Sequence, residues 1–95
     1  MKHFLSIDGF QWDAGNIDKN WLKHKVSNEE CEEVFFDFNK KILADTLHSD
    51  REPRRIIIGK TKHQRLLFVV FAFRKNKIRI ISARDLNKRE RKLYE

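Results

Sequence analysis

The chain reads as one α+β domain, with helices packed on a largely antiparallel sheet in the order β-α-α-β-β-β-α. Three observations predict this. Residues 54–60, 66–73 and 77–83 are strand-length, apolar-rich segments separated by short polar links. Ahead of them lies a helix signature, a capping box followed by apolar residues at helical spacing. Ninety-five residues, 40% of them hydrophobic, with eight Phe and two Trp, fill one core and no more. One Pro and three Gly argue against a disordered or repetitive chain.

The elements follow in order. Phe10-Gln11-Trp12-Asp13 alternates apolar and polar, which predicts a short strand. Residues 14–23 read as a first helix with Ile17, Trp21 and Leu22 on its inner side. Ser27 is a good N-cap, and Glu30 three residues later completes the capping box of a second helix. Cys31, Val34, Phe35 and Phe38 fall at i, i+3, i+4 and i+7 and predict its buried face. Glu29, Glu30, Glu32 and Glu33 suit the positive end of that helix. Ile42, Leu43 and Leu47 predict either a further helical turn or a cover for the core edge. The polar run from His48 to Pro53 reads as a loop. Three strands follow, joined by Thr61-Lys62-His63-Gln64 and Arg74-Lys75-Asn76 as antiparallel hairpins. Residues 66–73 are apolar throughout, which predicts a central strand covered on both faces. Arg79 alternates with Ile78 and Ile80, so the last strand has one apolar and one partly charged face. Leu86, Leu93 and Tyr94 predict a narrow inner stripe on a terminal helix.

Charge is divided by position. Residues 1–50 carry six Lys/Arg against ten Asp/Glu, a net of −4, and residues 51–95 carry fifteen against four, a net of +11. Arg74, Lys75, Lys77, Arg79 and Arg84 interleave with strand residues, and Lys88, Arg89, Arg91 and Lys92 follow in a helix-like stretch. A positive field on an ordered surface suits a polyphosphate such as nucleic acid. Solubility alone would not require such asymmetry between halves. The single Cys31 excludes an internal disulfide and a cysteine zinc cluster, and its apolar setting predicts a buried, inert thiol. His3, His24, His48 and His63 lack any i, i+4 pairing, so neither a metal nor another cofactor is expected. Neither a Gly-rich phosphate loop nor a Ser nucleophile elbow is present. Trp12 and Trp21 fit the helix–sheet core better than a base-stacking platform. No apolar run approaches the roughly 20 residues of a membrane span. The first eight residues lack the apolar stretch of a secretory signal, so a cytoplasmic protein without a membrane partner is expected.

A set of local signatures recurs along the chain in a fixed order. They are Phe10-Gln11-Trp12-Asp13, Asn20, Lys23-His24, Val26-Ser27-Asn28-Glu29-Glu30, Val34-Phe35, the loop His48 to Arg54, and Gly59. Leu67-Phe68-Val69-Val70-Phe71, Arg79-Ile80-Ile81-Ser82-Ala83-Arg84, Glu90 and Tyr94 complete it. Together they resemble the BrnT family, toxins of bacterial type II toxin–antitoxin modules. The resemblance covers residues 10–95. It implies a compact RelE-like fold and a ribonuclease activity that stops translation. It also implies an antitoxin of ribbon-helix-helix type that binds operator DNA and represses the operon. The chain departs from the family pattern at Lys25, where Gly is usual, and at Lys62-His63-Gln64, which replaces a Gly-containing hairpin turn.

Metal-independent RNA cleavage uses the neighbouring 2′-hydroxyl as nucleophile. It needs a base, an acid and cations for the phosphorane charge. His and Glu suit the proton transfers, and Arg pairs with phosphate oxygens through its planar fork. The candidates are His48, Glu52, Arg54, Arg74, Arg79 and Arg84, with Lys60, Lys62, Arg65, Lys77, Lys88 and Arg91 as further ligands of the RNA backbone. Each has a plainer reading. His48 is an exposed loop residue, Glu52 pairs with nearby Arg, and Arg54 flanks a strand edge. Arg74 is a solvated turn residue, and Arg79 covers the sheet or pairs with a carboxylate. Arg84, just past the sheet, is the one best placed for phosphate. The competing function is a non-catalytic basic module, such as a degenerate toxin acting as co-repressor. An antitoxin is expected to dock on the basic sheet and final helix, over Arg84, Leu86 and Tyr94, with two toxins per antitoxin dimer.

Overall fold

A computed structural model describes residues 8–45 and 52–95. Five strands, β1 (Phe10–Gln11), β2 (Lys41–Asp45), β3 (Arg54–Lys60), β4 (Leu66–Arg74) and β5 (Lys77–Asp85), form one sheet in the order β1-β5-β4-β3-β2. β1 runs parallel to β5, and every other neighbouring pair is antiparallel. Three short helices accompany it, α1 (Lys19–His24), α2 (Asn28–Glu33) and α3 (Lys88–Tyr94), with a 3-10 turn at Val34–Phe36 continuing α2. The α+β class and the order of elements stand as expected. None of the described helices is long and apolar enough to cross a membrane.

The core lies on one face of the sheet. Ile57, Leu67, Val69, Phe71, Ile78, Ile80 and Ala83 meet Val26, Cys31, Val34 and Phe35 from the helical side. Phe35 sits between Phe10 and Phe71 in edge-to-face contacts at 5.3 and 5.0 Å. The 3-10 turn presses so closely on β3 that a Cβ at Gly59 would stand 2.9 Å from the Val34 Cβ and carbonyl oxygen. Ser27 caps α2 as its sequence requires. Its Oγ accepts from the Glu30 N–H at 3.1 Å, and its own N–H donates to Glu30 Oε1 at 3.0 Å. Burial holds the Cys31 thiol protonated, pushing it up to about 12, with the neighbouring glutamates adding to the effect.

Several expectations are corrected. β4 is central, but it alternates between buried and half-buried residues, so α1 and α2 cover only one of its faces. β2 occupies part of the segment read as a helical turn or a cover for the core edge; it is a strand and not a helical turn, and its Ile42 does pack against the core. Five residues with one apolar pair carry too little period to separate strand from helix. The first helix begins at Lys19 rather than Ala14, and Ile17, Trp21 and Leu22 face outward. Its inner residue is Asn20, for a reason of backbone hydrogen bonding. β1 spans only two residues and leaves most of the β5 edge unpaired. Asn16 Nδ2 donates to the Ile80 carbonyl and the Gln11 carbonyl at 3.0 Å each, and the Ala83 N–H donates to Asn20 Oδ1 at 2.9 Å. Two buried asparagine side chains thus stand where a longer strand would have run. Phe38 is fully exposed, because α2 tightens into the 3-10 turn and the i+7 position leaves the helical face. On the terminal stripe, Leu86 is buried, Tyr94 half-buried and Leu93 exposed.

The two departures from the family pattern both fall on left-handed backbone. Lys25 has φ 56° and closes α1, its N–H donating to the Trp21 carbonyl at 3.1 Å. Gln64 has φ 71° in the β3–β4 turn. The chain keeps a turn suited to glycine while placing a side chain in it.

Candidate nucleic-acid interface

Strand alternation sets out the second face of the sheet, which α1 and α2 leave uncovered. Opposite the core residues, β3 presents Arg54, Ile56 and Lys60, and β4 presents Phe68, Val70 and Arg74. β5 adds Lys77, Arg79 and Arg84. Cations on this face surround half-buried apolar side chains, a pattern that suits phosphates and bases together.

The cations gather at two ends. At one, Arg74 forms a forked pair with Glu52, with Nη2–Oε1 2.6 Å and Nε–Oε2 3.1 Å. Arg79 grips Asp13 at 2.7 and 3.1 Å and reaches Gln11 Oε1 at 3.1 Å. The Arg74 hydrogen bond holds the Glu52 carboxyl below the usual range, and the fields of Arg54 and Arg79 help. Arg79 does the same for Asp13, with Arg74 contributing charge. Glu52, Arg54, Arg74 and Arg79 are therefore one electrostatic cluster, and the carboxylate within it is ionised at neutral pH. Asp13 is a member the sequence reading did not single out.

Arg84 stands apart, five residues from Arg79 along the same strand, on the order of 15 Å. Its guanidinium lies 4.1 Å over the Phe68 ring and pairs with Glu90 at 2.7 and 2.8 Å. Glu90 also closes the capping box of α3, accepting from the Asn87 N–H at 3.1 Å. The Arg84 hydrogen bond keeps the Glu90 carboxyl below its ordinary value.

Beyond Arg84, α3 leans over the sheet and forms a cleft of about 470 Å³ with Lys41, Lys60, Leu66, Arg91 and Tyr94 in its wall. The Tyr94 hydroxyl donates to Asp37 Oδ2 at 2.6 Å, and Lys60 places its ammonium 5.6 Å over the Tyr94 ring. Burial, then the Asp37 carboxylate, push the Tyr94 hydroxyl up to about 12. Burial works against the charge on Asp37. The donors from Tyr94, Asn39 and Lys60 outweigh it and hold that carboxyl below its ordinary value. This Asp37–Tyr94–Lys60 arrangement escaped the sequence reading, since its members are separated by at least twenty residues.

The remaining candidates are scattered. Lys62 lies in the β3–β4 turn, its N–H donating to Glu33 Oε1 at 3.1 Å. Lys77 is exposed opposite Arg74, and Lys88 is exposed at the start of α3. Arg65 is a clamp on the helical side. It holds Asp85 at 2.7 and 3.0 Å, the Lys25 and His24 carbonyls at 2.7 and 3.2 Å, and Glu30 at 3.2 Å. Asp85 and Glu30 keep it firmly protonated. His48 lies outside the described residues.

The site can hold a run of phosphates on paired arginines and offers the ionised carboxylates of Glu52, Asp13 and Glu90 among the cations. No curated protein matches the chain. A family model does, one described as ribonuclease toxin, BrnT, of type II toxin–antitoxin system, and it matches residues 12–90, a span that takes in both ends of this face. The chain belongs to the BrnT family of ribonuclease toxins.

Proposed function

We propose that this chain is an endoribonuclease that cuts RNA without a metal and so stops translation in the cytoplasm. The observation that carries the reading is the sheet face that α1 and α2 leave uncovered, where Arg54, Arg74, Arg79 and Arg84 surround half-buried Phe68 and Val70. A single strand of RNA laid along it meets arginine at both ends and an aromatic ring between them. The scissile phosphate takes Arg74 from Glu52, since both present oxygens to the same fork. Glu52 then loses the partner that holds its carboxyl low and becomes a stronger base for the 2′-hydroxyl proton. The 2′-oxygen attacks phosphorus, Arg54 and Arg74 stabilise the phosphorane charge, and the 5′-oxygen leaves with a proton. His48, in the same segment as Glu52, is the candidate acid. The products are a 2′,3′-cyclic phosphate and a 5′-hydroxyl.

The test is cleavage of RNA by the purified protein in the presence of a chelator, with analysis of the 3′ ends. A cyclic phosphate, lost in Glu52→Gln and Arg74→Ala, supports the assignment. Dependence on added metal overturns it. The alternative of a non-catalytic co-repressor draws on one observation, that Arg74, Arg79 and Arg84 are each already paired with a carboxylate. Under that reading the protein binds without cutting.

The partner in this proposal is a ribbon-helix-helix antitoxin that also carries the complex to operator DNA, two toxins to each antitoxin dimer. The mass of the co-purified pair tests the stoichiometry. Leu86 is already buried beneath β4, its N–H donating to the Leu66 carbonyl, so it offers the antitoxin nothing.

A further inference from the structure

Among the described residues, the two most exposed large apolar side chains lie outside the arginine-bearing sheet face. Phe38 is 100% exposed and Phe36 79% exposed, and they flank Asp37. They are held out, because Asp37 is held in. Its Oδ2 accepts from the Lys60 N–H at 2.9 Å and the Tyr94 hydroxyl at 2.6 Å, and its Oδ1 accepts from the Asn39 N–H at 3.1 Å. A backbone pinned at the middle residue presents its two neighbours to solvent in a fixed pose. Leaving two Phe side chains in water is a standing penalty that a partner removes.

Beside them opens a groove of about 800 Å³, whose wall on α2 carries Glu29, Glu32 and Glu33 and which Lys60 and Lys62 also line, away from α2. Apolar anchors under an acidic wall select for a particular occupant. We propose that this groove is the docking site of the antitoxin. The segment that enters it is amphipathic, with apolar side chains against Phe36 and Phe38 and Lys or Arg facing Glu29 and Glu33. This assignment rests on the toxin reading above and adds the place and chemistry of the contact. It differs from docking on the basic sheet, where the surface charge is opposite. A second copy of this chain fits less well. Its cations lie on a sheet whose apolar side chains are half-buried, and that surface offers no protruding anchor.

The location also accounts for neutralisation. Asn39 and Lys60 line both this groove and the cleft beside Tyr94. A segment seated on the two Phe therefore continues directly onto the RNA face at Lys60 and Arg91.

The experiment uses the full chain and the antitoxin encoded beside it. Phe36→Ser with Phe38→Ser, and Glu29→Lys separately, are titrated with that antitoxin and assayed alone for RNA cleavage. All three positions are on the surface, and thermal melting verifies that the fold is kept. The expected result is at least a hundredfold loss of affinity for the double Phe variant and about tenfold for Glu29→Lys, with cleavage by the variants alone unchanged. Antitoxin binding within threefold of the unsubstituted protein overturns the docking site. Loss of self-association in place of antitoxin binding, measured by sedimentation, overturns it in favour of a second copy. An unsubstituted chain that cleaves no RNA counts against the ribonuclease reading alone, because affinity is measured independently of cleavage.

Discussion

Replacing Arg65 removes the one side chain that ties both early helices to the sheet. All five of its N–H donors have acceptors. Two reach Asp85 at the end of β5, two reach the His24 and Lys25 carbonyls that close α1, and one reaches Glu30 in the capping box of α2. A hydrogen bond to a charged group contributes about 1.5–3 kcal/mol. The sum is well below five times that. The Asp85 side chain is 58% exposed, so its pairing contributes little beyond what water supplies. Glu30, whose side chain is 24% exposed, is better shielded, and the bonds to the two helix-end carbonyls hold α1 closed at the surface. We expect Arg65→Ala to lose about 2–4 kcal/mol of stability, a fall in melting temperature of roughly 10–25 °C for a domain of this size. Arg65→Lys should recover less than half of that, since an ammonium cannot reproduce the fork. Circular-dichroism melting gives the numbers, and RNA affinity measured well below the melting temperature should stay within twofold. A variant that melts within about 3 °C of the unsubstituted protein but binds RNA tenfold more weakly would refute the clamp. It would return Arg65 to the RNA ligands proposed from sequence.

Four further outcomes follow from the geometry. Gln64→Gly should stabilise by about 0.5–1 kcal/mol in urea unfolding by relieving left-handed backbone; Lys25→Gly should gain less, because it also removes the Lys25 ammonium from the Trp21 ring, 5.2 Å away. Asn20→Ala should cost about 1–3 kcal/mol, because the buried Ala83 N–H loses its acceptor. Glu90→Gln keeps a capping side chain but frees Arg84 from its ion pair, so RNA affinity should rise several-fold and its salt dependence should steepen. Asp13, Glu52, Asp85 and Glu90 all have carboxyls below their ordinary values of 3.8 and 4.5. Groups depressed on folding contribute stability that is complete above the unfolded values and is lost as pH falls through the folded ones. The melting temperature should therefore be level from about pH 8 to 5 and decline below about pH 4.

Legibility in the sequence tracked the range of the interaction. The Ser27–Glu30 box is written within four residues and was readable, as were the three strands whose apolar content and turns lie side by side. The inward turn of Asn20 depends on the Ala83 amide, 63 residues away, which β1 is too short to satisfy, and nothing near Asn20 announces that need. The same holds for the site. Residue types marked Arg74, Arg79 and Arg84 as candidate phosphate ligands. Their partners Glu52 and Asp13 lie 22 and 66 positions away, and pairing of that range has no local signature. The clamp made by Arg65 was hidden for the same reason, since a cation in a hairpin looks solvated until three distant segments close around it.

The asparagine pair beside β5 also decides how this sheet can meet another. With Asn16 and Asn20 covering that margin beyond β1, an incoming strand finds no backbone ladder there to extend. Of the two outer strands among the described residues, β1 is two residues long and too short to template another strand, which leaves β2 as the margin of useful length, and it is five residues long and opens on Lys41. Lysine on a margin discourages strand addition. A sheet with a single available margin can join one other such sheet, margin to margin, and the pair is then closed on both sides. Growth into a fibre needs two, so pairing of this kind ends at two molecules.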